Sequence, residues 1–154
     1  MENIISARFI KCEPNEIQTT FPYPEEIILP CRSSSASAGY DFYCPYDIEI
    51  PPMGQVIIPM WVKCLDMPSD VVLQLFVRSS IGIKRGLYLA NGTGIIDSDY
   101  VWCIYVALCS RNKEPVKIAK GERIVQGIFS RYCIIANDAP SASIRVGGIG
   151  SSGK

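Results

Sequence analysis

The sequence predicts an all-β protein, a barrel or jelly-roll-like sandwich followed by a flexible C-terminal arm. Three observations carry this. β-Favouring segments of strand length follow one another along nearly the whole chain, each bounded by Gly, Pro, Asn, Asp or Ser. No long window shows the i, i+3, i+4, i+7 apolar stripe of an amphipathic helix. A chain of 154 residues that is 48% hydrophobic can bury one core and suits one domain.

The elements read in order. Residues 4–12 alternate loosely and stop at Pro14, and residues 27–29 lie between prolines. Residues 40–44 and 48–50 flank Pro45, and 55–62 and 71–77 are rich in Val and Ile. Residues 87–89, 101–108, 116–118 and 122–132 complete the expected strands. Asn91-Gly92 and Lys120-Gly121 read as hairpin turns. After Pro140 comes SASIRVGGIGSSGK, poor in core-forming residues. Composition reads first as a frayed tail, and Arg145 among glycines keeps open an arm that orders over a ligand. The expected division is a single β-barrel domain over 1–139 and a Gly/Ser-rich arm over 140–154.

Composition excludes several function classes. Lys plus Arg and Asp plus Glu are each 15, so the basic excess of a nucleic-acid-polymer binder is missing. Histidine is absent. Ser-His-Asp, Cys-His and zinc-type hydrolysis in their usual forms are therefore excluded, and a general base must be Asp, Glu, Lys, Tyr or Cys. Seven cysteines form no C-x-x-C pair and read as reduced, mostly buried apolar residues. Met1 leads into Glu2 with no basic or apolar signal region, and the longest apolar run, 101–109, is about half a membrane span. A soluble, intracellular protein with no membrane partner is expected.

Four internal stretches carry candidate chemistry. SAGYDFY (37–43) sets Gly39 before the carboxylate of Asp41. VRSSIGIKRG (77–86) follows a strand with Arg78 and two hydroxyls, a set that suits an anion. NGTGIIDSDY (91–100) holds Asp97 and Asp99, which point to one face in extended geometry. A carboxylate on a pocket wall can take a proton from water, as a hydrolase without histidine requires. AKGERIVQGIFSRY (119–132) places the amide of Gln126 among apolar neighbours, where a buried amide needs partners.

With RVGGIGSSGK (145–154), these stretches stand in the order of five motifs, and from about residue 30 onward the chain resembles the trimeric dUTP nucleotidohydrolases, the dUTPases. The resemblance implies a β-barrel homotrimer that cleaves dUTP to dUMP and pyrophosphate, keeping uracil out of DNA and supplying dUMP for dTMP synthesis. It implies that Asp97 deprotonates the attacking water and that Asp99 is structural. Tyr100 packs on the deoxyribose, while Asn91, Gly94 and Ile96 belong to the uracil-facing segment. Arg78, Ser79, the amide of Ser80 and Gln126 face the phosphates. Arg145, Gly148, Ile149, Gly150 and Ser151 form the closing arm. The implied cofactor is Mg²⁺ chelated by the triphosphate, with Asp41 holding a metal-bound water. Each site would draw the first, second and fourth motifs from one subunit, the third from another and the arm from a third. The chain departs from the family pattern at Val77 and Ser80, and in a fifth motif one residue shorter with Ile149 in place of an aromatic. The related dCTP deaminases use a Glu on the strand after the third motif, and residues 101–112 contain none.

Overall fold

The computed structural model describes residues 4–140, 142 and 144–148. Among them are β1 (Arg8–Lys11), a 3-10 turn (Pro14–Glu16), β2 (Cys31–Arg32), β3 (Tyr40–Tyr43), β4 (Ile48–Ile50), β5 (Gln55–Pro59), β6 (Val62–Leu65) and β7 (Val71–Val77). There follow α1 (Ser79–Arg85), β8 (Leu87–Leu89), β9 (Gly94–Ile96), β10 (Tyr105–Ser110), β11 (Val116–Ile118) and β12 (Arg123–Arg131). The strands form four small sheets, β1-β6, β5-β10-β8, β11-β4 and β2-β3-β12-β7-β9, every pairing antiparallel. The all-β, jelly-roll-like class expected from the sequence is the one found.

The five-stranded sheet shows why this sequence folds so. On β7 the side chains of Val71, Leu73 and Leu75 enter one core cluster, while Gln74, Phe76 and Val77 are only partly buried and Val72 is buried outside that cluster. The core they enter also holds Phe42, Ile50, Ile58, Trp61, Leu108 and Ile124. Burying each such side chain stabilises the fold by about 1.5–3 kcal/mol. Gly127 sits in the middle of this packing: a Cβ there would lie 2.8 Å from Leu73 Cδ1 and 3.0 Å from Phe42 Cε2.

Several expectations change. The run 55–62 is two strands, broken where Trp61 takes a φ of 56°. A bulky residue holds that left-handed conformation only under constraint, and here the indole is buried and donates to the Tyr46 hydroxyl at 2.5 Å. Residues 27–29 form no strand, and 101–104 lie outside β10. The turns at Gly92 and Gly121 are real, with φ of 71° and 79°, but neither closes a hairpin. β8 pairs with β10 and β9 with β7, while β11 pairs with β4 and β12 with β3 and β7, so both turns hand the chain from one sheet to another.

All seven cysteines are free, and only Cys31 and Cys133 are exposed. Burial pushes the Cys44 and Cys64 thiols up to about 11. Because the unfolded chain would ionise these thiols first, their contribution is fully present below pH 9 and is lost as pH rises toward 11. In native protein at neutral pH, an aromatic disulfide reagent should titrate two thiols rapidly and the other five only after denaturant is added.

Candidate active site

Two groups of functional side chains emerge, one built by the large sheet and one by the segment after β9. In the first, residues directly opposite across antiparallel strands share a face. Asp41 stands opposite Cys31 on β2 and Gln126 on β12, and Gln126 stands opposite Phe76 on β7. Arg78, two residues past Phe76, continues the same face. A register shift between Arg123 and Val125 adds the decisive detail. Arg123 and Gln126 are three apart and would point to opposite faces of a regular strand. With the extra residue Ile124, Arg123 pairs with Tyr43 and Gln126 with Asp41, so both join one face.

Asp41 is the centre of this group. It is buried, and each carboxylate oxygen accepts from an arginine: Arg78 Nε at 2.9 Å on Oδ1 and Arg123 Nη1 at 3.2 Å on Oδ2. Arg123 was missed in the sequence, since nothing in its spacing to Asp41 announces the bulge that turns it inward. Arg78 also caps α1, its backbone extended and its carbonyl accepting from the amides of Ile81 and Gly82. Those bonds leave the amides of Ser79 and Ser80 without intrahelical partners, as in any first turn. Where the sequence showed no helical stripe, 79–85 is helical, ended by Gly86 with a φ of 67°.

Gln126 is half-buried rather than buried, so the expected internal amide network is not needed. Its side chain instead crosses Gly39, where a Cβ would lie 2.5 Å from Oε1 and 3.2 Å from Cβ of Gln126. Gly39→Ala must therefore displace Gln126. Turnover is expected to fall about tenfold with a change in the urea midpoint worth less than about 1 kcal/mol, measured on one preparation.

The second group forms at a turn. Tyr100 N donates to Asp97 O at 3.0 Å, and this turn, not extended geometry, brings Asp97 and Asp99 to one side. Both accept from Arg145 Nη1 at 2.9 Å. These bonds, that to Asp97 first, raise the pKa of Arg145. Tyr100 is buried, donates to the Cys103 carbonyl at 2.5 Å, and stands edge-on to Trp102 at 5.6 Å. Burial pushes its hydroxyl up to about 12, so the ring is a fixed, neutral wall. Val101 is partly exposed, and Trp102 packs on Tyr100.

The remaining expected residues lie along the approach to this turn. Asn91 is exposed, Gly94 and Ile96 are buried, and a Cβ on Gly94 would lie 3.0 Å from Leu75 Cβ. Gly148 faces the Tyr100 hydroxyl. Ile149, Gly150 and Ser151 lie outside the described residues. No ion pair among the described residues joins the Asp41 group to the Asp97 group.

The dUTPase family model matches residues 25–153 of this chain. The chain belongs to the dUTPase family. A relative from Wolinella succinogenes, the deoxyuridine 5'-triphosphate nucleotidohydrolase, is 31% identical over 151 residues, 96% of this chain and 93% of its own. A crystal structure of the dUTPase from Streptococcus mutans superposes with a TM-score of 0.72 at 32% identity, over 84% of this chain and 98% of that one. A mutant dUTPase of phage phi11 of Staphylococcus aureus, whose structure shows the coordination of a structural Mg(II) ion, shares the fold at a TM-score of 0.69 and 16% identity, over 88% of this chain and 96% of that one.

As a dUTPase-family chain, it offers no direct metal cage: no group of three or more His, Cys, Asp or Glu side chains converges among the described residues. Asp41 already accepts from two arginines, yet each of its oxygens keeps a second lone pair for a water. That donor set fits a hydrated Mg²⁺ carried in by phosphates, an ion that retains water and takes few protein ligands. No described helix is long and apolar enough to cross a membrane.

Proposed function

We propose that this chain hydrolyses dUTP to dUMP and pyrophosphate. Asp97 takes a proton from water as that water attacks the α-phosphorus, the bond from that phosphorus to the bridging oxygen breaks, and pyrophosphate leaves. The observation that carries the reading is the position of Asp97: a half-exposed carboxylate at a tight turn beside the pinned ring of Tyr100. Sugar selection follows from that ring, since a wall flush against C2′ leaves no room for a 2′-hydroxyl. Backbone groups of 91–96, with Asn91, Gly94 and Ile96, pair with the uracil edge, and a cytosine amino group facing a buried donor would cost about 1–3 kcal/mol. Thymine is rejected by a rigid wall near C5.

Arg78, the amides of Ser79 and Ser80, and Gln126 receive the triphosphate, with Arg78 oriented by Asp41. Mg²⁺ bound to the triphosphate would neutralise charge and hold one phosphate conformation, while Asp41 accepts a hydrogen bond from its water. The arm, 140–154, closes over the bound nucleotide through Arg145, Gly148, Ile149, Gly150 and Ser151 and excludes water. By resemblance to the trimeric dUTPases, the reading includes a homotrimer in which neighbouring subunits bring the Asp41 and Asp97 groups together.

Pyrophosphate release from dUTP, dCTP, dTTP and UTP tests this. Hydrolysis of dUTP alone is expected; equal hydrolysis of all four would overturn the assignment.

A further inference from the structure

Burial sets Arg145 apart from its two chain neighbours. Ile144 and Val146 on either side are 86% and 83% exposed, whereas the Arg145 side chain is 18% exposed. Its guanidinium lies 5.3 Å from the Tyr100 ring centroid, and Nη1 bridges Asp97 and Asp99 of the same chain. Gly148 then backs onto the same tyrosine, close enough that a Cβ would lie 3.4 Å from its hydroxyl. Arg145 Nε is buried with no hydrogen-bond partner among the described residues, so this seat satisfies the side chain only in part. A group held firmly at one nitrogen and unsatisfied at another is poised to exchange partners.

We propose that the arm caps its own chain's Asp97 when no nucleotide is bound, and that Asp99 is the latch that holds Arg145 there. This rests on Asp97 being the base. A guanidinium seated on the carboxylate occupies the place where the water must sit, so the base cannot reach water until the pair opens. Asp97 and Asp99, one residue apart across a turn, repel each other; one guanidinium between them neutralises both. An incoming triphosphate is a stronger anion than either carboxylate and offers partners to every guanidinium nitrogen, so it draws Arg145 away and uncovers Asp97. Asp99 is a positioning residue in this scheme. It touches neither water nor nucleotide, and it sets how tightly the empty site is shut.

Trypsin reads the latch directly, because it cuts after Arg145 only when the arm is released. The measurement is the rate at which residues 146–154 appear by mass spectrometry from full-length protein without nucleotide. Asp99→Asn should speed release about threefold, the scale of one exposed ion pair. Asp99→Glu should restore slow release. Sodium chloride at about 0.5 M should accelerate the wild type toward the variant and leave the variant nearly unchanged. In turnover assays Asp99→Asn should lower KM for dUTP about threefold with kcat within about twofold of wild type. A merely structural Asp99 would instead lower kcat and the melting temperature together. Equal release from wild type and Asp99→Asn, or release indifferent to salt, overturns the latch. Absence of dUTP hydrolysis by the wild type would sink the hydrolase reading but leave the proteolysis result to stand on its own.

Discussion

Asp97→Asn is expected to lower pyrophosphate release from dUTP by about 10³-fold, within the 10²–10⁴ range of a positioned general base. The substitution keeps the volume of the side chain and an oxygen able to accept from Arg145, so the turn from Asp97 to Tyr100 and the Tyr100–Cys103 bond should survive. What disappears is the capacity to take a proton. KM should change by no more than a few-fold, because the phosphate-facing and base-facing groups are other residues. Unchanged circular dichroism and melting temperature, with the loss confined to kcat, are the expected pattern. The neighbouring carboxylate supplies the control. Asp99→Asn removes the same charge one residue beyond Ser98, on the same guanidinium, and should leave kcat near wild type. A comparable collapse in both variants would remove Asp97 from its role.

The parts of this molecule legible in the sequence are those set by local pattern. Val71–Val77, a nearly continuous apolar run, and Val116–Ile118, which alternates, are found with the expected bounds. The glycine turns at 92 and 121 were legible because only a residue tolerant of positive φ suits them. What was not legible depends on partners distant in sequence. Whether a turn closes a hairpin or passes the chain to another sheet is decided by which strand each flank pairs with, and Asn91-Gly92 does not encode that. Ser79–Arg85 is too short to show a helical stripe, and its Ser-Ser start and Gly86 stop could equally bound a loop. Trp61 looks like a strand residue until its indole is seen bonded to Tyr46.

The candidate site divides in the same way. Asp97, Tyr100 and Arg145 were recognisable by residue type and order, and they do come together. Arg123 was not, because its approach to Asp41 follows from one inserted residue in β12, which reverses the direction of the side chain without leaving a compositional trace. The pairing of Arg145 with its own chain's carboxylates was also invisible, since it depends on where the arm lies.

Asp41→Asn is the second large effect, and Arg123 is the reason. The native carboxylate is almost buried, at 6% side-chain exposure, with Arg78 at 25% and Arg123 at 42%. Neutralising it leaves two guanidinium groups around an amide that can accept at only one oxygen. The stability cost should be about 2 kcal/mol, between the values for exposed and for fully buried pairs, read as a lower urea midpoint. Turnover should fall about 10²-fold, because Arg78 is no longer aimed and a pre-placed charge toward phosphate is lost. The two losses have different origins and can be separated. Arg123→Met in the Asp41→Asn background removes the second cation, so most of the lost stability should return while turnover stays low. Raising Mg²⁺ should offset only the lost contact to its water and leave most of the turnover defect, since Arg78 stays misdirected. Recovery of activity with Arg123→Met, or with metal alone, would mean that the aim of Arg78 does not limit turnover.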